Sequence, residues 1–250
     1  MSVDGLIAIV TGGAQGIGLA IGRHLAQNGA KTILLDQNEA VLDLAMQQLG
    51  EAGLQVDTHN VNVTDARQIE AAVATISAKH GTVDVLVNNA GISRDQRLIK
   101  MTEEDWDSVI TVNLKSQFLC CRAVFPTMTK RGFGRIVNIS SRAWLGGFGQ
   151  ANYSASKGGV ISLTRTLALE GAKYGITANV IAPGIIDTPL FATLAKDVQE
   201  RLRKSTPVGR IGTGEDVANA VRFFADRDSS FITGQTLYAC GGRSLSSPNV

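Results

Sequence analysis

Short apolar runs rich in β-branched residues alternate along the chain with longer segments in which apolar residues recur every three to four positions. The first pattern is typical of buried strands and the second of amphipathic helices. Strands and helices that alternate in this way favour a parallel sheet with helices on both faces. We predict seven strands: Leu6–Val10, Lys31–Leu35, Gln55–Val61, Val83–Asn88, Arg135–Ser140, Thr177–Ala182 and Gln235–Ala239.

The longest helical segment runs from Thr102 to Arg131. It opens with Thr-Glu-Glu-Asp, a pattern typical of a helix N-terminus, and we predict a single helix that crosses the molecule. The sequence contains no linker, no low-complexity segment and no repeat beyond the strand–helix unit. We therefore predict one domain over residues 1–250, with an α/β fold and a doubly wound, seven-stranded parallel sheet.

Composition and charge exclude several classes of function. The 24 Lys and Arg residues nearly balance the 22 Asp and Glu residues and are scattered, which argues against a nucleic-acid surface. No apolar run reaches the ~18 residues that a membrane span needs. Cys120, Cys121 and Cys240 lack metal-ligand spacing with the histidines, so we predict reduced packing residues and no metal site. These features lead us to expect a soluble, cytoplasmic protein.

A glycine-rich segment, Thr11-Gly-Gly-Ala-Gln-Gly-Ile-Gly18, directly follows the first predicted strand and precedes a helix. Glycines at such a junction allow a tight turn and let the backbone approach a pyrophosphate at the positive end of the helix. The second predicted strand ends in Asp36, about 20 residues beyond the first glycine, where a carboxylate can accept hydrogen bonds from ribose hydroxyls. This arrangement predicts a dinucleotide site.

Tyr153 and Lys157 are four residues apart in a segment with helical character, so both side chains share one helix face. A phenol with a pKa of ~10 is a poor acid or base at neutral pH. A nearby ammonium stabilises the phenolate, and we expect Lys157 to lower the pKa of Tyr153. The pair is a candidate proton-transfer site.

Taken in order, these motifs resemble those of the short-chain dehydrogenase/reductase family, and the resemblance extends from about Leu6 to Gly242. Thr11, Gly12, Gly16 and Gly18 match the family's glycine pattern, and Asn88 to Gly91 match its NNAG turn. Asn113 matches the asparagine that the family carries within a helix, and Tyr153 with Lys157 matches its YxxxK motif. Pro183 and Gly184, followed by Thr188, match its Pro-Gly pair. The resemblance implies a Rossmann fold and hydride transfer between a secondary alcohol or ketone and a nicotinamide dinucleotide.

The resemblance also implies roles for the catalytic residues. Tyr153 is the expected acid and base, and Lys157 is expected to hold the nicotinamide ribose as well. Asn113 lies within a helix, where an amide is unfavourable without a task; in the family it disturbs the helix locally and anchors a water that relays protons past the lysine.

The substrate-orienting serine has two candidates. In relatives it is the last residue of a strand-five run, three positions after the residue that corresponds to Asn138, which selects Ser141. The most frequent family spacing to the tyrosine instead counts back to Ser140. We favour Ser141 because strand register fixes which side chain points at the site, whereas the glycine-rich loop at 145–150 can absorb a deletion.

The predicted cofactor is NAD, because the carboxylate of Asp36 suits two ribose hydroxyls and repels the extra phosphate of NADP. Gln15 and Gln37 occupy the positions where NADPH-dependent relatives tend to carry Arg or Lys. Predicted cofactor-binding residues are Gly12, Gln15, Gly16, Ile17, Gly18, Asp36, Asn62, Val63, Asn89, Ala90, Gly91, Tyr153, Lys157, Pro183, Gly184, Ile186 and Thr188. Within this set, Asn62 and Val63 should flank the adenine, Asn89 to Gly91 the adenosine ribose, and Ile186 and Thr188 the carboxamide. In relatives, Asn88 and Asn89 also brace the central sheet.

The substrate is less defined. The stretches at 94–101 and 149–153 resemble bacterial 3-oxoacyl-(acyl carrier protein) reductases, which mostly use NADPH, so an acyl thioester is one candidate substrate. Asp36 instead favours catabolic oxidation of a small-molecule alcohol. The expected pocket residues, each equally consistent with core packing or a subunit contact, are Trp144, Leu145, Phe148, Leu190, Phe191 and Leu194. A different class of function is a catalytically idle, nucleotide-binding scaffold.

We expect a homo-oligomer, a tetramer by resemblance to the family. The helices at 102–131 and from Tyr153 onward carry apolar residues on more than one face, namely Val109, Val112, Phe118, Leu163 and Leu167. The Ser-rich tail, Ser244–Val250, is expected to be loose or to pack against a neighbouring subunit.

Overall fold

The computed structural model describes residues 2–188, 191 and 195–245. Seven parallel strands form one sheet in the order β3-β2-β1-β4-β5-β6-β7. The strands are β1 Ile7–Thr11, β2 Lys31–Asp36, β3 Val56–Asn60, β4 Val85–Asn88, β5 Gly134–Ile139, β6 Ile176–Pro183 and β7 Thr236–Ala239. All seven predicted strands are found, with ends that differ by one or two residues.

Helices cover both faces of the sheet. They are α1 Gly16–Gln27, α2 Glu39–Glu51, α3 Ala66–His80, α4 Glu103–Ile110, α5 Ser116–Arg131, α6 Ala151–Gly171, α7 Lys196–Lys204 and α8 Gly214–Ala225. One core cluster lies under α1, α2 and α8, and the other lies under α3, α5 and α6. This two-sided cover is the doubly wound architecture that the alternating pattern predicts.

The alternation of side chains along the central strands divides the core into these two clusters. In β1, Ala8 and Val10 pack into the first cluster, whereas Ile7 and Ile9 pack into the second. Both sets are almost fully buried, which explains why central strands read as continuous apolar runs. The site-bearing loops therefore project from a rigid sheet.

The predicted helix from Thr102 to Arg131 is helical over its length but not uniformly α. Thr102 caps α4 by accepting a hydrogen bond from the backbone N–H of Asp105. Between α4 and α5 lies a π-helical turn, Thr111–Lys115, with the fully buried Asn113 at its centre. Such single π-turns are rare and occur often at functional sites. In the described ranges, no helix is long and apolar enough to cross a bilayer.

Candidate active site

The sequence-predicted site residues gather at one edge of the sheet. Thr11, Asp36, Asn88, Ile139 and Pro183 are the last residues of β1, β2, β4, β5 and β6. Because all strands are parallel, these carboxyl ends lie side by side. The loops that follow them carry the glycine-rich segment, the NNAG turn, both candidate serines and the Pro-Gly pair.

The glycine-rich segment requires its glycines for two different reasons. Gly16 has a φ of 54°, in the left-handed region that side chains disfavour. A Cβ atom on Gly18 would overlap the carbonyl oxygen of Gly12, so only glycine lets α1 pack this closely on the loop. The turn into α1 is thereby fixed in shape.

Within the described part of the chain, no side-chain cap is found at the N-terminus of α1. The Gln15 side chain makes no capping hydrogen bond, and the first turn contains no acidic residue. By contrast, α2, α3, α4 and α8 begin with side-chain caps from Asn38, Asp65, Thr102 and Thr213. The free N–H groups and positive end of α1 suit an anion such as a pyrophosphate.

The NNAG turn braces the glycine-rich segment. The Thr11 hydroxyl accepts hydrogen bonds from the backbone N–H groups of Asn89 and Ala90, at 3.0 and 3.1 Å. The Asn89 amide donates to the carbonyl oxygens of Thr11 and Gly12, both at 3.0 Å. The Asn89 side chain therefore has a structural task in addition to any contact with a ligand.

Asn88 points the other way, into the sheet. Its amide donates to Asn138 Oδ1 at 2.8 Å, and the Asn138 amide donates to Thr164 Oγ1 at 2.8 Å. These three buried residues belong to β4, β5 and α6. They connect the sheet to the helix that carries Tyr153 and Lys157.

Asp36 lies beside the glycine-rich segment. One carboxylate oxygen accepts from the Ala14 N–H at 3.4 Å and the other from the Asn38 N–H at 3.2 Å. The residue remains partly exposed. Its carboxylate is thus held at the loop yet accessible, as a ribose contact requires.

The residues after β3 are placed differently from one another. Val63 is buried, whereas the Asn62 side chain accepts hydrogen bonds from the backbone and hydroxyl of Thr64, at 3.0 and 2.8 Å. Asn62 therefore shapes its own turn, and the flanking of an adenine by this segment remains an expectation.

Tyr153 and Lys157 share one face of α6, as the spacing predicts. Lys157 Nζ lies 5.6 Å from the centre of the Tyr153 ring and donates to the carbonyl oxygen of Ile139 at 3.0 Å. Lys157 is buried, and burial lowers the pKa of its ammonium to about 8.

The expected fall in the pKa of Tyr153 does not occur in the structure. Burial raises the pKa of the phenol, a hydrogen bond with Ser141 lowers it, and the negative charge of Asp95 raises it again; the net shift is upward. The Lys157 ammonium instead donates to the Ile139 carbonyl. Desolvation therefore prevails over the charge effect that the sequence suggested.

The two candidate serines point in different directions. Ser141 hydrogen-bonds with Tyr153, and its hydroxyl also accepts from the Ala143 N–H at 3.1 Å. The buried Ser140 hydroxyl donates to the carbonyl oxygen of Lys157 at 2.7 Å. Of the two, only Ser141 faces the phenol.

Asn113 links the π-turn to the NNAG turn and to α6. Its amide accepts from the Ile92 N–H at 2.8 Å and donates to the Ile92 carbonyl and the Ser156 hydroxyl, at 2.9 and 3.2 Å. A Cβ atom on Gly91 would lie 3.3 Å from Asn113 Oδ1 and 3.5 Å from Lys157 Nζ. The NNAG turn thus approaches Lys157 through a residue without a side chain.

The Pro-Gly loop closes the site from the far side. Gly184 N–H donates to the Ala239 carbonyl at 2.9 Å, and Ile186 pairs with Gly212. Thr188 Cγ2 lies 3.9 Å from where a Cβ atom of Gly16 would be. The loop after β6 therefore reaches the glycine-rich segment.

These features fit an extended dinucleotide. The positive end of α1 matches the pyrophosphate, the accessible Asp36 carboxylate matches the adenosine ribose, and Gly91 leaves room beside Lys157 for the reactive half.

The predicted pocket residues are only partly brought together. Phe148 is 86% exposed, contacts the Arg97 guanidinium and lines a cavity of about 440 Å³. The other residues that line this cavity are Gln96, Arg97, Leu98, Ile99, Gly147, Gly149 and Ala151. Trp144 is partly buried and Leu145 is 48% exposed, and neither lines it. Phe191 is partly buried, whereas Leu190 and Leu194 lie outside the described residues.

Two further polar residues contact this region but had no role assigned from sequence. Asp95 acts on Tyr153 through its charge, and Asn152, directly before Tyr153, is fully buried. Asp95 lies in a loop with no recognisable motif. For Asn152, the only signal in the sequence is a polar residue directly before the tyrosine.

The chain is similar in sequence and structure to known oxidoreductases. A family model described as enoyl-(acyl carrier protein) reductase matches residues 12–244. The chain is 41% identical to the (2S)-[(R)-hydroxy(phenyl)methyl]succinyl-CoA dehydrogenase subunit of Thauera aromatica, over 98% of this chain and 99% of the relative. It is 43% identical to a 3-oxoacyl-[acyl-carrier-protein] reductase of Thermotoga maritima, over 97% and 99%. The crystal structure of levodione reductase superposes with a TM-score of 0.92 at 31% identity, covering 97% of this chain and 98% of that one.

The different surroundings of the two serines predict different effects on Tyr153. Ser141→Ala removes the hydrogen bond that stabilises the phenolate, so the pKa of Tyr153 should rise further. Ser140→Ala is the matched control and should leave this pKa unchanged, because its hydroxyl contacts the Lys157 carbonyl. NMR titration of ring-labelled tyrosine measures both. A shift in the Ser140 variant alone would reverse the assignment.

Proposed function

The chain belongs to the short-chain dehydrogenase/reductase family, and on that premise we propose that this oxidoreductase interconverts a secondary alcohol and a ketone with NAD(H). The observation that carries the proposal is the meeting of Ser141, Tyr153 and Lys157 beside the NNAG turn, which is hydrogen-bonded to the glycine-rich segment. Together they provide a proton donor, an oxygen-orienting hydroxyl and a cation at one point of a dinucleotide site.

In this proposal Tyr153 moves the proton. Its raised pKa keeps the phenol protonated at neutral pH, the form that donates to a developing alkoxide when a ketone is reduced. In the direction of alcohol oxidation the phenol must first lose its proton, so this direction is favoured by higher pH. A bound nicotinamide dinucleotide supplies the hydride donor or acceptor.

Ser141, Lys157 and Asn113 support that step. The Ser141 hydroxyl, already bonded to Tyr153, is placed to orient the substrate oxygen. Lys157, with its pKa of about 8, can hold a ribose hydroxyl and exchange a proton near neutral pH. The Asn113 side chain bonds with Ile92 and Ser156, and it thereby holds the π-turn against the NNAG turn and α6.

The proposed cofactor contacts follow the geometry. Gly12, Gln15, Gly16, Ile17 and Gly18 would surround the pyrophosphate, Asp36 the adenosine ribose, and Asn62 and Val63 the adenine. Asn89, Ala90 and Gly91 would lie along the middle of the cofactor, and Tyr153, Lys157, Pro183, Gly184, Ile186 and Thr188 around the nicotinamide half.

NAD is the proposed cofactor because a carboxylate at Asp36 would face the 2′-phosphate of NADP. Neither Gln15 nor Gln37 offers a compensating charge. The alternative is a 3-oxoacyl-(acyl carrier protein) reductase that uses NADPH, which the identity to the Thermotoga maritima relative favours.

Hydroxyacyl thioesters are the first substrates to test. One relative is named for a hydroxyl-bearing succinyl-CoA and the other for a 3-oxoacyl chain on a carrier protein. We propose a panel of 3-hydroxyacyl-CoA esters and simple cyclic or aromatic secondary alcohols, each with NAD and NADP, followed at 340 nm. Measurable NADH binding without turnover across the panel would favour a catalytically idle, nucleotide-binding protein.

The acid–base assignment predicts a large loss in Tyr153→Phe. The substitution keeps the ring but removes the proton, so kcat should fall by about 10²–10⁴-fold while NADH binding persists. Tyr174→Phe, in the turn that follows α6, serves as the control and should keep wild-type turnover. Near-normal turnover in Tyr153→Phe would refute the mechanism.

The charge at Asp36 predicts the cofactor preference. At an effective dielectric of about 20, a like-charge contact at a few Å costs on the order of 4 kcal/mol, and a quarter of this gives roughly fivefold discrimination. The double variant Asp36→Ala with Gln37→Arg removes the repulsion and adds a phosphate partner. Its ratio of kcat/KM for NAD over NADP should fall towards or below one. A wild type that prefers NADPH would instead support carrier-protein reduction.

We also propose a homotetramer, built in part on α5 and α6. A cavity of about 580 Å³ between these helices is lined by Phe118, Cys121, Arg122, Phe125, Pro126, Thr129, Lys130, Leu167 and Glu170. Phe118 and Leu169 are 44% and 82% exposed. Val109, which we expected to contribute to this apolar surface, is instead fully buried within the subunit.

This surface predicts the solution mass. Light scattering at micromolar concentration should give about four times the 26.4 kDa subunit mass. Phe118→Glu places a charge on the apolar surface and should lower that mass, whereas Met46→Glu on α2 should not. A wild-type species of one subunit mass would refute the tetramer.

A further inference from the structure

Asn152 joins three separate segments of the chain through one buried side chain. Its amide donates to the carbonyl oxygens of Arg94 and Asp105, both at 3.1 Å. Its own carbonyl oxygen accepts from the Tyr153 N–H at 2.7 Å. The side chain is fully buried, so each of its polar groups is used within the protein.

Further contacts hold the same two loops together. Gln96 N–H donates to the Gly149 carbonyl at 2.8 Å, and Gln96 pairs with Gln150 as in a parallel sheet. The Gln150 amide donates to a carboxylate oxygen of Asp95 at 2.8 Å. The loop after β4 is thus hydrogen-bonded to the segment that leads into α6, and Asn152 is the fully buried member of this set of contacts.

These contacts hold both the backbone of Tyr153 and the loop that carries Asp95. The Gln150 side chain does not cap the start of α6. The carbonyl oxygen of the Asn152 side chain instead accepts a hydrogen bond from the Tyr153 N–H in the first turn. Through Arg94, Asn152 also fixes the residue adjacent to Asp95, whose charge acts on the phenol. One amide therefore holds the tyrosine backbone and the charged loop in a fixed relation.

We propose that Asn152 is a positioning residue that sets the placement of the Tyr153 hydroxyl relative to Ser141 and Asp95. This inference rests on the proposed function of the same site. Asn152 itself cannot contact a substrate, because its side chain is enclosed. It acts through Tyr153.

The test compares Asn152→Ala and Asn152→Ser with a matched control, Asn179→Ala. Asn179 is equally enclosed, at 1% exposure, and also bridges backbone groups: its amide donates to the Ile232 carbonyl at 2.8 Å and its carbonyl accepts from the Gln235 N–H at 3.0 Å. It lies in the middle of β6, away from Tyr153. Loss of stability is expected in both alanine variants, because each leaves buried backbone groups unpaired.

The Asn152 and Asn179 variants should differ in their turnover. Asn152→Ala should lower kcat by about ten- to a hundredfold, as expected for a misplaced reacting group, while the NADH dissociation constant stays within about twofold. Asn152→Ser, which keeps a short donor and acceptor, should recover part of the rate. Asn179→Ala should keep the wild-type kcat and pH profile. Equal kcat and pH profiles in the Asn152 and Asn179 variants would overturn the proposal.

A second measurement needs no substrate. The chain contains three tyrosines, so ring-labelled tyrosine gives three NMR titrations that Tyr→Phe variants assign. The groups facing the phenol are Ser141, Asp95 and Lys157, and displacement of the hydroxyl should move its titration by about 0.5 pH unit or more. An upward shift would report a lost Ser141 contact and a downward shift the removal of Asp95; both support the proposal.

This pair of readouts distinguishes two kinds of failure. If the wild type turns over no substrate in the panel, the proposed function fails, but the Tyr153 titration still tests Asn152. If Asn152→Ala does not fold, the same readouts apply to Asn152→Ser. An unshifted Tyr153 titration in a folded Asn152 variant would overturn the inference.

Discussion

The chain of hydrogen bonds from Asn88 through Asn138 to Thr164 is the interaction on which the site depends. It connects β4, β5 and α6 inside the core. A directional bond between amides fixes distance and rotation, which apolar packing alone does only loosely. The helix that carries Tyr153 and Lys157 is therefore registered against the strand whose end carries Ser141.

Burial acts on the two ionisable residues of this helix in opposite directions. It raises the pKa of Tyr153 and lowers the pKa of Lys157 to about 8. Both shifts favour the neutral form, and they separate the pKa values of two groups that lie close together in water.

The sequence was sufficient for the fold and for which side chains gather at the carboxyl edge of the sheet, and the reasons are physical. Strands such as β1 are buried on both faces, so their continuous apolar runs identify them in the sequence. Glycines such as Gly18 are required because the backbone approaches too closely for any side chain. The pKa of Tyr153 was predicted wrongly, because helix spacing shows that Lys157 is near but not that its ammonium turns to Ile139.

Contacts between loops were the least predictable part. Asn152 bonds with Arg94, and Asp95 bonds with Gln150, because the loop after β4 pairs with the segment that leads into α6, and no periodicity in the sequence indicates that pairing. The choice between Ser140 and Ser141 depended on which hydroxyl faces the phenol, which register indicated and spacing did not. The π-turn around Asn113 likewise left no trace in the apolar pattern.

The uncapped start of α1 has a consequence for the protein as a whole. The helices α2, α3, α4 and α8 satisfy some of their first N–H groups with a side-chain cap, whereas the Gln15 side chain makes no such bond at α1, and an anion bound in the turn would take its place. A ligand that binds only the folded chain stabilises it by mass action, in proportion to the logarithm of its concentration. If a dinucleotide binds at this turn, the melting temperature of the protein should rise with the concentration of that dinucleotide.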